Sequence, residues 1–172
     1  MISGWYDVCI VFYNLYKLGR YNGFDKRSFK MASASSSILI NQPVEKVFAY
    51  ITDVKNHTAW QAGILSATLS PAGPVAVGSI YHYTTEVMGR KYESQTQVSA
   101  FEQNKKWATK TVGVPRPVET VYLFEPAGNG TSLTISMDLT GGYPAVAEGA
   151  VRAQMQKSFD EQVQRIKKFV ES

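Results

Sequence analysis

One cysteine, Cys9, and two histidines, His57 and His82, are all that 172 residues supply of the side chains that most often hold metals or attack carbonyl carbons. A single cysteine rules out a disulfide within the chain and a Cys-based zinc site. That fits a reducing compartment, and a cytoplasmic location is the expectation. The two histidines have no ligand-like spacing between them, so no metal is expected. No Ser-His-Asp or Cys-His set can be assembled from these residues. Glycine-rich nucleotide fingerprints are missing as well. "GPVAVG" is too irregular for a phosphate loop, so no cofactor is expected.

Long apolar runs are also absent. The best, "WYDVCIVFYNLYKL", is broken by Asp7, Asn14 and Lys17 and falls short of the ~20 residues a membrane span needs. It lacks a basic start and a cleavage site, which makes it a poor signal peptide. Charge is scarce where it would matter for nucleic acids. The net charge is +4, but Lys17, Arg20, Lys26, Arg27 and Lys30 outweigh Asp7 and Asp25 in the first 30 residues. The remainder is nearly neutral, so no nucleic-acid partner is expected. Three readings of the aromatic and basic N-terminal stretch stay open. It is an interfacial helix, an extra helix docked on the domain, or an extension upstream of a functional chain that starts at Met31. Membrane contact is expected only through residues 1–30.

What is present is a regular series of short elements. "SILIN" is a strand. "PVEKVFAYITD" sets Val44, Val47, Phe48 and Ile51 at helical spacing behind Pro43. "DVKNHTAW" reads as a second short helix capped by Asp53. Then come "ILSATLS", "GSIYHYTTEVM", "KYESQTQVSAF", "KWATKTV", "VETVYLFEP" and "TSLTISMDLT", all strands. From Ala145 to Val170 one long helix carries the stripe Val151, Met155, Phe159, Val163, Ile166 and Val170. Consecutive strands with short turns predict an antiparallel sheet. "MGRK" predicts a two-residue hairpin centred on Gly89 and Arg90, with Val87 opposite Tyr92 and Tyr83 opposite Thr96.

Alternation along the strands separates two faces. One holds Glu86, Glu93, Gln95, Gln97 and His82 and is solvent-facing. The other mixes rings (Tyr81, Tyr83, Tyr92, Trp107, Tyr122, Phe124) with hydroxyls (Ser94, Thr96, Thr109, Thr120). A dry core prefers aliphatic residues, because each buried hydroxyl needs a partner. Rings tipped with hydroxyls suit a cavity with an apolar body and a few polar anchors. A solid core in which these hydroxyls bond one another is the other reading.

The pieces "INQPVEKVFAYITDVKNHTAW", "VGSIYHYTTEVMGRKYES" and "VETVYLFEPAGNGTSLTI", with the long last helix, resemble the START-like (SRPBCC) superfamily. Within it the chain is similar to the polyketide cyclase/dehydrase-like group of small helix-grip proteins. The resemblance covers about residues 35–170. It implies an α+β helix-grip fold, with a curved antiparallel sheet of six to seven strands around the C-terminal helix. It also implies a division into an N-terminal extension, 1–34, and a ligand-binding domain, 35–172. The partner it implies is a small apolar molecule, a lipid, polyketide or aromatic, held between sheet and helix. The expected cavity residues are Trp60, Tyr81, Tyr83, Tyr92, Thr96, Trp107, Thr109, Tyr122, Met155 and Phe159. Trp60 and Arg116, the latter in the stiff loop "GVPRPVET", are the expected portal. Trp60 has a second reading, in which it only pins the short helices to the sheet.

Binding or carriage is the leading expectation. No paired carboxylates fall on the inner face, and its tyrosines have an ordinary pKa near 10. A cyclase or dehydratase acting through cavity Tyr and Arg side chains is the alternative, since positioning alone can cyclise a reactive chain. A third reading is an interaction module with a filled core. The sequence assigns no oligomeric state.

Overall fold

Seven strands and three α-helices account for residues 31–87, 89–114, 117–140 and 148–172, which the computed structural model describes. The order is β1 (Met31–Ile40), α1 (Val44–Thr52), a 3-10 turn (Val54–Asn56), α2 (His57–Trp60), β2 (Ile64–Ser70), β3 (Ile80–Val87), β4 (Arg90–Glu102), β5 (Lys106–Val112), β6 (Glu119–Ala127), β7 (Gly130–Thr140) and α3 (Glu148–Glu171). All strands pair antiparallel in one sheet, ordered β1-β7-β6-β5-β4-β3-β2. Register shifts between Ile64 and Ser66 and between Val98 and Ala100 mark bulges, which bend the strands that carry them. This is the α+β helix-grip arrangement that the family resemblance implies, with the antiparallel sheet that the element order predicts.

Differences from the sequence reading are local. β1 begins at Met31, so the strand starts earlier than "SILIN" and takes in the serine run. Ser is a poor strand former, but Ala34 and Ser36 alternate inward, and the ladder with β7 runs unbroken from Met31 to Ile40. The β3–β4 hairpin pairs Val87 with Arg90 and Tyr83 with Ser94, two residues away from the predicted register. Gly89 is therefore the second residue of the loop, with φ +76°, and not the first. A slip of two leaves every side chain on its predicted face, whereas a slip of one would invert them all. The predicted helix start at Ala145 lies outside the described residues.

The stripe Val151, Met155, Phe159, Val163, Ile166 and Val170 buries α3 against the sheet. Toward β1, β7 and α1 the core is aliphatic, with Ile40, Val47, Ile51, Leu133 and Ile135. Phe48 adds edge-on contacts to Phe101 and Phe124 at 5.2 and 5.0 Å. The free edge of β1 is covered by polar side chains of α3. Arg152 Nε, Gln156 Nε2 and Lys167 Nζ donate to the carbonyls of Ser33, Ser35 and Leu39. Glu171 accepts from the Asn41 amide. An edge strand whose carbonyls are occupied in this way is a poor template for another chain.

Candidate functional site

β1 and β2 are neighbours in sequence but opposite edges of the sheet. The segment 41–63 must therefore cross from one edge to the other, and it does so over the inner face. Tyr81 Oη donates to the Thr52 carbonyl at 2.8 Å, which ties α1 to β3. The Asp53 side chain accepts from the Lys55 amide and starts the next turn, as predicted. In α2, His57 and Trp60 are three residues apart and share one side of the turn. Both are fully buried. The polar run that carries Trp60 is thus a single helical turn that plugs two rings into the inner face of the sheet.

His57 has a fixed tautomer. Its Nε2 lies 2.9 Å from the Ile51 carbonyl, which only accepts, so Nε2 carries the hydrogen. Burial pushes the imidazole pKa down to about 4, against smaller opposing effects of the Ile51 bond and the Asp53 charge. The ring is therefore neutral at pH 7, and its bare Nδ1 accepts from Tyr83 Oη at 2.9 Å. Gln61 hydrogen-bonds the same phenol oxygen. Thr96 is near enough to favour the phenolate slightly, though its hydroxyl lacks hydrogen-bonding geometry. Burial outweighs both and holds the Tyr83 pKa above the usual phenol value. Tyr81 and Tyr122 are raised for the same first reason, with neighbouring Tyr83 adding to each.

Beside this cluster lies a cavity of about 420 Å³ between the sheet and α3. That is within the usual range for sites that enclose small molecules. Tyr83, Tyr92, Ser94, Thr96, Trp107, Thr109, Thr120 and Tyr122 line it from the sheet, Trp60 from α2, and Phe159, Gln162 and Arg165 from α3. The opening follows from strand lengths. β5 stops at Val112, opposite Gln95, so Tyr92–Ser94 of β4 have no β5 partner. There the cavity is bordered by exposed Glu93, Gly113 and Glu161 and by half-buried Arg165. Four buried polar side-chain atoms have no hydrogen-bond partner among the described residues: Trp60 Nε1, Ser94 Oγ, Thr96 Oγ1 and Trp107 Nε1. All four belong to residues that line this cavity.

Eight of the predicted cavity residues surround this space: Trp60, Tyr83, Tyr92, Thr96, Trp107, Thr109, Tyr122 and Phe159. Two do not. Tyr81 turns its hydroxyl to Thr52 and packs edge-on against Trp107 with ring centroids 5.7 Å apart. Met155 is one helical turn from Phe159 and fully buried in the core. Trp60 is an inner wall and not a portal, because no part of it reaches the surface. Arg116 lies outside the described residues; among the described residues that line the cavity the cation is Arg165. His57 and Gln61 were not expected at the site. The available signal was the three-residue step from His57 to Trp60, which a polar run disguised. Among the described residues, no cluster could hold a metal ion and no helix is long and apolar enough to cross a membrane.

Solved structures share this architecture at low identity. The di-domain ARO/CYC StfQ from the steffimycin biosynthetic pathway superposes with a TM-score of 0.67 at 12% identity over 82% of this chain, which spans 51% of that protein. Ara h 8.0201 gives 0.61 at 14% identity over 82% of this chain and 98% of its own. A Staphylococcus aureus protein of unknown function, SA2116, gives 0.67 at 12% identity over 84% and 98%. No curated protein sequence matches the chain. The family model described as "Polyketide cyclase / dehydrase and lipid transport" matches residues 31–171, and the chain belongs to this START-like family.

Proposed function

We propose that the domain binds or carries a small, largely apolar molecule in the cavity between the sheet and α3. The observation that carries this reading is the cavity itself, walled by rings and hydroxyls. Apolar ligand area buried there gains about 25 cal/mol per Å². The family's description, which joins cyclases with lipid transport, supports the same class of ligand.

Catalysis is the second reading, supported by the likeness to the ARO/CYC StfQ. The hydrogen bonds at the inner wall favour binding over it. The Tyr83 proton is committed to His57, and the His57 proton to Ile51. Burial raises the Tyr83 pKa and lowers that of His57 to about 4, so both groups resist ionising and moving the phenol proton onto His57 is uphill. The pair therefore orders the wall and is a poor acid or base.

The test is fluorescence of the apolar probe phenylnaphthylamine with the full chain and with Thr109→Phe, which places a ring in the cavity. The wild type should brighten and blue-shift the probe. The variant, melting within a few degrees of wild type, should lose most of this. Equal probe binding by both proteins, or by neither, would overturn the reading.

A further inference from the structure

We infer that the molecule held in this cavity presents a neutral carbonyl-type oxygen to the indole N–H groups of Trp60 and Trp107. The inference rests on the proposed binding of an apolar molecule and specifies its chemistry. An indole N–H only donates, whereas the Ser94 and Thr96 hydroxyls can turn and either donate or accept. The fixed requirement among the four unpartnered atoms is thus for acceptors. A buried donor left without a partner is costly, so such groups are usually matched by protein, water or ligand.

The two indoles are neighbours. Both pack on His57, at 5.3 and 5.8 Å between ring centroids, and both on Tyr122, at 6.1 and 4.6 Å. His57 cannot serve as their acceptor. Its Nδ1 already takes the Tyr83 proton, and its Nε2 carries a hydrogen. Both tryptophans line the cavity, and a molecule held there is the acceptor we assign to them.

Charge selects the kind of acceptor. The cation among the described lining residues is Arg165, which is half-buried, whereas the indoles are fully buried. A carboxylate pushed against the indoles would lose its water without gaining a counter-charge. An amine or ammonium would set donor against donor. A ketone, quinone or ester oxygen on an apolar frame satisfies the N–H groups without either penalty.

Fluorene and fluorenone share one frame and differ by a CH₂ against a C=O. Their affinities are measured by displacement of phenylnaphthylamine from the full chain. Fluorenone is expected to bind about tenfold more tightly than fluorene. Trp60→Phe and Trp107→Phe keep a ring and remove the N–H. Each should weaken fluorenone roughly 3- to 10-fold more than it weakens fluorene. Infrared spectra need no variant: the C=O stretch of bound fluorenone should fall below its position in a hydrocarbon solvent. Equal affinities with an unshifted stretch would overturn this inference and leave the apolar cavity standing. If neither compound displaces the probe, or the probe itself does not bind, the cavity reading fails and this inference with it.

Discussion

Tyr83 and Tyr81 alternate onto the same face of β3, yet neither hydroxyl is free for a ligand. Tyr83 donates to His57 and Tyr81 to Thr52. Tyr83→Phe should therefore act on stability. Leaving Nδ1 of His57 without its donor should cost about 1–3 kcal/mol in a urea curve, with probe affinity nearly unchanged. A large loss of affinity at full stability would place the hydroxyl in the ligand site instead. His57 makes a second prediction. Its folded pKa is about 4, below the unfolded value near 6.5. As pH falls below 6.5 the unfolded chain takes up a proton that the folded chain refuses. The contribution to stability is whole above pH 6.5 and declines down to about 4, by at most roughly 3 kcal/mol. Urea titrations of wild type and His57→Gln should show their stability difference shrinking over this interval. A constant difference would mean that the buried ring is not neutral. Alternation places a residue on a face, but it says nothing of what crosses above it. His57 reaches Tyr83 across a long loop of chain, and that contact was not legible locally.

Elements were more legible than partners. Helical spacing identified α3 and its buried stripe, because 24 residues give the period room to declare itself. The β3–β4 register was harder, since a glycine can hold either central position of a two-residue turn. β1 was read short because serine runs resemble loops, and only its pairing with β7 makes them strand. The β6–β7 hairpin supplies a prediction at this scale. A Cβ on Gly130 would collide with the Ile40 carbonyl oxygen, where β1 ends against the start of β7. Gly130→Ala should destabilise by about 1–3 kcal/mol, read as a lower urea midpoint. Gly149 has nothing within 4 Å of its added Cβ and serves as the control. Equal effects at both glycines would mean that the approach of Ile40 is not what requires glycine at 130.

For the whole molecule, strand and helix lengths set where the core is solid and where it is open. β5 ends early, β4 runs on, and a ring-lined space remains under α3. The sequence announced that space as an excess of Tyr, Trp and Thr on one face, but not its depth, its opening or its unpartnered indoles. We propose that residues 31–172 are the folding unit, since the ladder of β1 starts at Met31 and the family match runs over 31–171. A chain starting at Met31 should melt within a few degrees of the full one, about 1 kcal/mol being worth 2–4 °C at roughly this size. A much larger drop would assign residues 1–30 a structural role.

The central claim is that this space holds an apolar molecule, and native mass spectrometry of the full chain purified under gentle conditions tests it most directly. The account predicts a small-molecule adduct, or one formed on adding fluorenone, that is absent from Thr109→Phe. A bare mass for the wild type under both conditions, or an adduct that survives Thr109→Phe, would contradict it.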